Sequence, residues 1–150
     1  MIRTPSMEVS IRIPRLSGWS YRTWRRFFFV AAMWNILGSL PAIIAPGLNV
    51  RLFYGVSTDD FYTLALNRGF WIAVLVVGIG FLIIASDPAK HIGIVWLGIV
   101  GKVIVAASWF YGFIIDRATG IAAFVALSDS IFTLFFAYYI RKGTRNPTLP

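Results

Sequence analysis

Residues 92–140 decide the fold, and they consist of IGIVWLGIVGKVIVAASWFYGFII, DRATG and IAAFVALSDSIFTLFFAYYI in succession. The two apolar runs cover residues 92–115 and 121–140, and only five residues separate them. A helix of about 20 apolar residues crosses the hydrocarbon core of a bilayer. Since five residues allow little more than a tight turn, this stretch predicts two antiparallel transmembrane helices.

Two further apolar runs precede this stretch, FFFVAAMWNILGSLPAII at residues 27–44 and FWIAVLVVGIGFLIIA at residues 70–85. Hydrophobic residues make up 58% of the chain and charged residues only 13%, about half the share of a soluble domain. The mean hydropathy is +0.75. The predicted fold class is therefore all-α: an integral membrane antiparallel four-helix bundle with spans at about 25–44, 69–86, 92–115 and 120–140.

The distribution of basic residues predicts how this bundle is oriented. With four spans, both termini and the loop near Lys90 share one side, which holds ten of the fourteen basic residues. The opposite side holds three, Arg51, Arg68 and Arg117, and Lys102 lies within a span. Basic residues accumulate on the cytoplasmic side, so we expect cytoplasmic N- and C-termini in a cell (inner) membrane.

The segments outside the spans divide the chain further. Residues 9–15 alternate apolar and basic side chains, and residues 1–26 predict a basic interfacial arm that leads into the transmembrane domain of residues 27–140. A disordered tail is the alternative for residues 1–8. Residues 141–150 form a basic tail. In the longest loop, Ser57-Thr58-Asp59-Asp60 offers helix N-caps with acidic residues in the first turn, which predicts a short amphipathic external helix at about 58–67 that breaks at Gly69.

Several classes of site are excluded or disfavoured by composition. The chain has no cysteine and a single histidine, His91, so we expect no metal site and no bound cofactor. The net charge of +8 does not predict nucleic-acid binding, because the basic residues flank the spans. Such clusters are typical of contacts to anionic lipid headgroups. The expected headgroup contacts are Arg22, Arg25, Arg26, Arg141 and Lys142.

Three strongly polar side chains, Asn35, Lys102 and Asp129, lie near the centres of three different spans. At a rise of about 1.5 Å per residue, each lies roughly 15–16 Å from the cytoplasmic end of its helix. A charged group at this depth costs at least a few kcal/mol, so intramembrane charges usually pair or mark a function. The shared depth predicts one polar cluster.

Helical spacing indicates that these side chains face the interior of the bundle. Small residues, through which membrane helices approach closely, lie beside each of them at helical spacing. Asn35 aligns with Ala31 and Ser39, and Asp129 lies beside the row that contains Ala126 and Ser130. We therefore place Asn35, Lys102, Asp129 and Ser130 in one intramembrane cluster.

The chemistry of this cluster leaves two main interpretations. Lys102 and Asp129 could form a buried ion pair, bridged by Asn35, that fixes the helix register. The same groups could instead bind an anion or headgroup, relay protons or act as a catalytic dyad. Lys102 could also snorkel or pair with another subunit.

Pieces of the chain resemble small bacterial membrane proteins of the DoxX-like kind. These pieces, spread over residues 27–140, are Trp34-Asn35-x-x-Gly38, residues 46–55, Asp87-Pro88-x-x-His91, Gly101-Lys102 and Asp129. The resemblance implies a four-helix membrane protein. It also implies a role like that of some relatives, which are small subunits or accessories of quinone-linked redox enzymes.

The leading functional hypothesis is a non-catalytic accessory or structural subunit of a larger membrane complex, with the lipid bilayer and other membrane subunits as partners. The rival is a small transporter, a lipid- or quinone-binding protein or a membrane enzyme that uses the cluster at Asn35, Lys102 and Asp129. A third possibility is a membrane-surface anchor that acts through the basic arm.

Overall fold

A computed structural model describes residues 20–143 of the chain, and within them the fold consists of five α-helices. They are α1 (Tyr21–Ile44), α2 (Pro46–Tyr54), α3 (Phe61–Ser86), α4 (Ile92–Ile114) and α5 (Gly120–Gly143). All but α2 are long and apolar enough to cross a membrane. The predicted all-α membrane bundle is therefore confirmed, and the chain is a multi-pass membrane protein.

The ends of the helices follow local capping chemistry. The Ser20 hydroxyl accepts from the Thr23 N–H at the start of α1, and the Asp60 carboxylate accepts from the Thr63 N–H at the start of α3. Helix α2 begins with Pro46 and ends at Gly55, whose left-handed φ of 71° suits glycine.

The external helix lies elsewhere than the sequence predicted. Residues 58–67 do not form a separate helix that breaks at Gly69, because α3 runs unbroken from Phe61 to Ser86. Its 26 residues span about 39 Å, more than the roughly 30 Å of hydrocarbon, so its first turns can lie at the headgroup level. The short helix is α2. Proline at its first position and glycine at its C-cap are the sequence features that could have predicted it.

The predicted terminal segments lie only partly within the described residues. Residues 21–26 of the predicted arm form the first turns of α1, and residues 141–143 of the predicted tail end α5. Residues 1–19 and 144–150 lie outside the described part of the chain.

The four spans form two close pairs, α1 with α3 and α4 with α5. Small residues allow this approach. A Cβ atom on Gly78 would lie 3.3 Å from the backbone nitrogen of Ile36, and Ala122 and Ala126 are fully buried. Close contact is thus strongest within each pair, and larger side chains fill the space between the pairs.

Two layers of aromatic rings join the pairs near opposite ends of the bundle. The first layer lies near the start of α1 and the end of α5. The ring centroids of Trp24 and Tyr139 are 4.8 Å apart there, and that of Phe136 lies 5.4 Å from that of Phe28 and 5.0 Å from that of Phe81. The contact between Trp24 and Tyr139 also shows that α1 begins where α5 ends, on the same side of the bundle.

The second layer lies beside α2. The ring of Phe53 lies 5.3 Å from that of Trp71 and 5.2 Å from that of Trp109, and the Trp71 indole donates to Asn49 Oδ1 at 2.8 Å. Thr119, in the turn before α5, donates to the Phe53 and Leu52 carbonyls. Helix α2 is thereby fastened to both helix pairs, and it closes this end of the bundle.

Gly98 provides a test of this packing. A Cβ atom on it would lie 2.6 Å from Phe81 Cε1, and the Phe81 ring is fully buried. We expect Gly98→Ala to lower the free energy of unfolding by about 1–3 kcal/mol through overpacking. Thermal unfolding in detergent measures this loss. Gly93→Ala is the control, because nothing lies within 4 Å of its Cβ position; equal losses in both variants would contradict the packing described.

The loop between α3 and α4 carries a second test. Burial raises the pKa of Asp87, but hydrogen bonds from Lys90 and Tyr21 outweigh it, so this pKa lies below its usual range. The stability that this pKa shift provides is complete above the unfolded-state pKa, about 3.9, and is lost as pH falls through the lower folded-state value. The stability difference between wild type and Asp87→Asn should therefore shrink in acid. Thermal unfolding between pH 3 and 7 measures it.

Asp59→Asn is the matched control, because the Asp59 side chain forms no hydrogen bond within residues 20–143. A stability difference for Asp87→Asn that stays constant across this pH range would show that the hydrogen bonds do not favour the ionised carboxylate.

Candidate functional site

The structure brings Asn35, Lys102 and Asp129 together between the helix pairs. The Lys102 ammonium forms an ion pair with Asp129 Oδ1 and donates to Asn35 Oδ1 at 3.1 Å. The three residues are only 5–7% exposed. One side chain each from α1, α4 and α5 thus meets at a single point.

The local sequence explains why these side chains point inward. On α1, Ala31, Ala32 and Ser39 share the face of Asn35 and are fully buried, as are Ala122 and Ala126 on the Asp129 face of α5. Small residues let the backbones approach, so side chains of moderate length can meet across the gap. The predicted packing faces of α1 and α5 are the observed ones.

Ser130, the fourth residue predicted in the cluster, does not take part in these contacts. Its hydroxyl donates to the Ala126 carbonyl of its own helix at 2.8 Å. Serine in an apolar helix commonly bonds back to the carbonyl four residues earlier, because this satisfies the hydroxyl locally. Sequence spacing alone does not show which partner such a hydroxyl takes.

Two aromatic rings flank the ammonium group. Lys102 Nζ lies 5.3 Å from the ring centroid of Phe132 and 6.0 Å from that of Phe81. A cation near a ring face is attracted by the ring quadrupole, and this attraction grows where water is excluded. Sequence analysis missed both rings, although Phe132 is three residues after Asp129 and so shares its helix face.

The polar groups form one wall of a cavity of about 710 Å³. All four spans and α2 contribute to its lining, in which Asn35, Lys102 and Asp129 are the only charged or amide side chains and the rest are apolar, aromatic or glycine. Five large rings lie in its walls: Trp34, Phe53, Phe70, Trp71 and Trp109. Ligand sites generally have this form, a mostly apolar hollow of 300–1,000 Å³ with a few convergent polar groups.

The mouth of the cavity faces the bilayer. Val30 and Leu37 line it and are 56% and 63% exposed, and the exposed Gly101 lines it from α4. All three lie well inside their helices. A molecule dissolved in the membrane can therefore reach the polar wall without crossing the aqueous phase.

The polar wall retains hydrogen-bonding capacity. Because an ammonium group only donates, the Asn35 oxygen must face Lys102, and this fixes the orientation of the amide. The Asn35 amide nitrogen then has two hydrogens with no acceptor among residues 20–143, and the second Asp129 oxygen accepts no hydrogen bond there. The wall thus offers donors and an acceptor while its net charge is zero.

The residues predicted to contact lipid headgroups lie at the end of the bundle where α1 begins and α5 ends. Arg22, Arg25 and Arg26 are exposed in the first turns of α1, and Arg141 is exposed near the end of α5. Lys142 is half-buried, with Nζ 5.9 Å from the Tyr138 ring centroid. Their contact with lipid stays a prediction. Within residues 20–143 no three His, Cys, Asp or Glu side chains lie close enough to hold a metal ion.

Comparisons with protein-family models, curated proteins and solved structures find no match for this chain. The resemblance to DoxX-like proteins stays a prediction, and the function has to be inferred from the site itself.

The ion pair makes a direct prediction about stability. Lys102→Met leaves Asp129 buried without its partner, and we expect a loss of about 3–5 kcal/mol. Lys102→Met combined with Asp129→Leu removes both charges, so most of this stability should return. Thermal unfolding in mild detergent measures all three proteins.

Lys90→Met is the matched control, because Lys90 forms an exposed ion pair with Asp87 at 3.3 Å and should contribute at most about 1 kcal/mol. A double variant as unstable as Lys102→Met would show that the pair does more than neutralise two buried charges.

Proposed function

We propose that this protein is a non-catalytic membrane protein that binds a neutral, lipid-soluble molecule with one compact oxygen-bearing polar group. The observation that carries the proposal is the polar wall of the cavity, a neutralised ion pair with an asparagine whose amide hydrogens meet no acceptor within residues 20–143. A carbonyl or hydroxyl oxygen placed at this wall would accept from Asn35.

Charge selects the class of ligand. Lys102 and Asp129 cancel each other, so a carboxylate or ammonium ligand would bring an uncompensated charge into a low-dielectric site. A neutral polar group needs only hydrogen bonds, which this wall supplies. The site therefore favours alcohols, phenols, ketones and quinones over fatty acids and cationic amphiphiles.

The apolar lining selects the body of the ligand. Trp34, Phe70 and Trp109 present ring faces or edges along the cavity, and aromatic side chains pack well against planar rings. The opening toward the bilayer suits a molecule that partitions into hydrocarbon. A quinone with an alkyl tail combines both properties and represents this class.

The residues that line the cavity also support a non-catalytic role. In the described part of the chain, no serine, threonine or tyrosine hydroxyl that could serve as a nucleophile lines the cavity. The two groups able to exchange protons, Lys102 and Asp129, are bonded to each other. Binding, storage or passage of the ligand within the membrane requires no further group.

The proposed location is the inner membrane with both chain termini in the cytoplasm. The start of α1, the loop at Lys90 and the end of α5 share one side of the bundle, and among residues 20–143 this side carries six basic residues against three on the other. By the positive-inside rule, this excess supports a cytoplasmic location for that side.

A second candidate is the accessory or structural subunit that the sequence suggested. Gly93 and Gly101 are exposed on α4, and nothing lies within 4 Å of either Cβ position. Glycines open in this way let a helix of another protein approach closely. Purification in mild detergent as a lone monomer, without other membrane proteins, would argue against this candidate.

Ligand binding can be tested with three alkyl-chain probes that differ in their polar end: decyl benzoquinone, decanoate and decyltrimethylammonium. We expect the quinone to bind with a saturable signal, measured as quenching of tryptophan fluorescence, and the two charged probes, which are not quenchers, to fail to displace it in competition. Asn35→Leu should weaken its binding about 2- to 10-fold, the worth of one hydrogen bond.

Gly101→Leu tests the cavity without altering the polar wall. Its side chain would occupy the mouth, and we expect it to abolish quinone binding, whereas Gly93, on the same helix, does not line the cavity, so Gly93→Leu should leave binding unchanged. Equal binding of the three probes, or equal binding by the two leucine variants, would refute the proposed site.

A further inference from the structure

A second hollow lies at the end of the bundle where α1 begins. This groove, of about 660 Å³, is lined by Arg22, Arg25 and Arg26 at its outer end and by apolar side chains farther in. One wall is the first three turns of α1, and the other is the last turn of α3, with Leu82 and Ala85. The cavity at Lys102 does not include any of the arginines.

The outer end of the groove carries three positive charges and no acidic residue in its lining. Asp87, which follows α3, is already engaged by the Tyr21 hydroxyl at 3.1 Å and by Lys90 at 3.3 Å. Neither Arg22 nor Arg26 hydrogen-bonds to any residue within 20–143. The groove therefore presents cationic donors that the described part of the chain does not neutralise.

Arg25 is held in place by the helix opposite. Its Nε donates to the Ala85 carbonyl at 2.8 Å, at the C-terminal end of α3. Carbonyls at a helix end lack partners within the helix, so this bond satisfies one of them and orients the guanidinium. The terminal nitrogens of Arg25 remain available to bind an anion.

The inner part of the groove is apolar and reaches the hydrocarbon level. Phe29 and Val30 are 51% and 56% exposed and lie seven and eight residues after Arg22, about 10–12 Å deeper along α1. They share a helix face with Arg22 and Arg26. Leu82 lies opposite on α3.

We infer that this groove binds one anionic phospholipid, with its phosphate at Arg22, Arg25 and Arg26 and an acyl chain along Phe29, Val30 and Leu82. Guanidinium groups donate paired hydrogen bonds to phosphate oxygens. Because the groove carries an excess of positive charge, we expect it to bind an anionic lipid more tightly than a zwitterionic one. The apolar floor requires a lipid chain, so a free phosphate ion would satisfy only part of the site.

The test uses protein purified in a neutral detergent and titrated with dioleoylphosphatidylglycerol, dioleoylphosphatidylcholine or glycerol 1-phosphate, with thermal stabilisation as the readout. We expect phosphatidylglycerol to stabilise the wild type with a saturable, salt-sensitive dose response. The other two should stabilise it far less. Equal effects of the two phospholipids, or of glycerol phosphate and phosphatidylglycerol, would overturn the proposal.

Two triple variants locate the effect. Arg22→Gln, Arg25→Gln and Arg26→Gln together should weaken apparent phosphatidylglycerol affinity by roughly fivefold for each arginine removed at low salt. The matched control replaces the three arginines of the opposite side, Arg51, Arg68 and Arg117, by glutamine. The match extends to geometry, because Arg68 Nε donates to the Ile43 carbonyl as Arg25 Nε donates to that of Ala85. Equal losses in both triples would show unspecific attraction.

A photoactivatable phosphatidylglycerol with its reactive group on an acyl chain tests the same site in the wild-type protein, so the result does not depend on whether a variant folds. Cross-links on Phe29, Val30 or Leu82, suppressed by excess unlabelled phosphatidylglycerol, are expected. Cross-links spread evenly over the outward faces of α4 and α5 would overturn the assignment.

Discussion

The structure depends on the burial of one ion pair in a medium that solvates charges poorly. An unpaired ammonium or carboxylate at the centre of a bilayer costs several kcal/mol, and the Lys102–Asp129 pair avoids this cost only while α4 and α5 keep their register. Asn35 extends the constraint to α1, because its oxygen accepts from the same ammonium. Hydrophobic surfaces alone do not fix how membrane helices align, since lipid tails are as apolar as the helices.

The two aromatic layers and the polar cluster act at different depths and together shape the cavity. Rings around Phe136 join the helix pairs at one end, and rings around Trp109 join them beside α2. Between these layers the Asn35–Lys102 hydrogen bond and the contacts of the Trp34 ring with Phe124 and Phe132 join the pairs, and space remains beside them. A bundle with four equally close helix contacts would leave no such space. The cavity therefore follows from strong packing within the pairs and layered packing between them.

Sequence reasoning could predict the spans and the depth of the polar cluster, because both depend on length and on a rise of 1.5 Å per residue. It could bring Asn35, Lys102 and Asp129 into one cluster, but its assignment of Ser130 to that cluster was wrong, because this hydroxyl has a competing acceptor on its own helix. It could not predict the cavity, since a void depends on distances between helices that no local pattern encodes. The external helix was misplaced because Asp60 caps α3 itself, and no sequence signal strong enough to stop a helix in hydrocarbon follows it.

The cavity and the groove meet at one residue, and this shared border bears on how a ligand would enter. Val30 lines both hollows, the groove at its inner end and the cavity at its mouth. A phospholipid held at the arginines would place its acyl chain next to the opening through which a lipid-soluble ligand reaches Asn35. The groove would select a lipid by its negative charge at the headgroup level, and the cavity would select a ligand by its neutrality at the midplane. The protein would thus bind the two molecules at different depths.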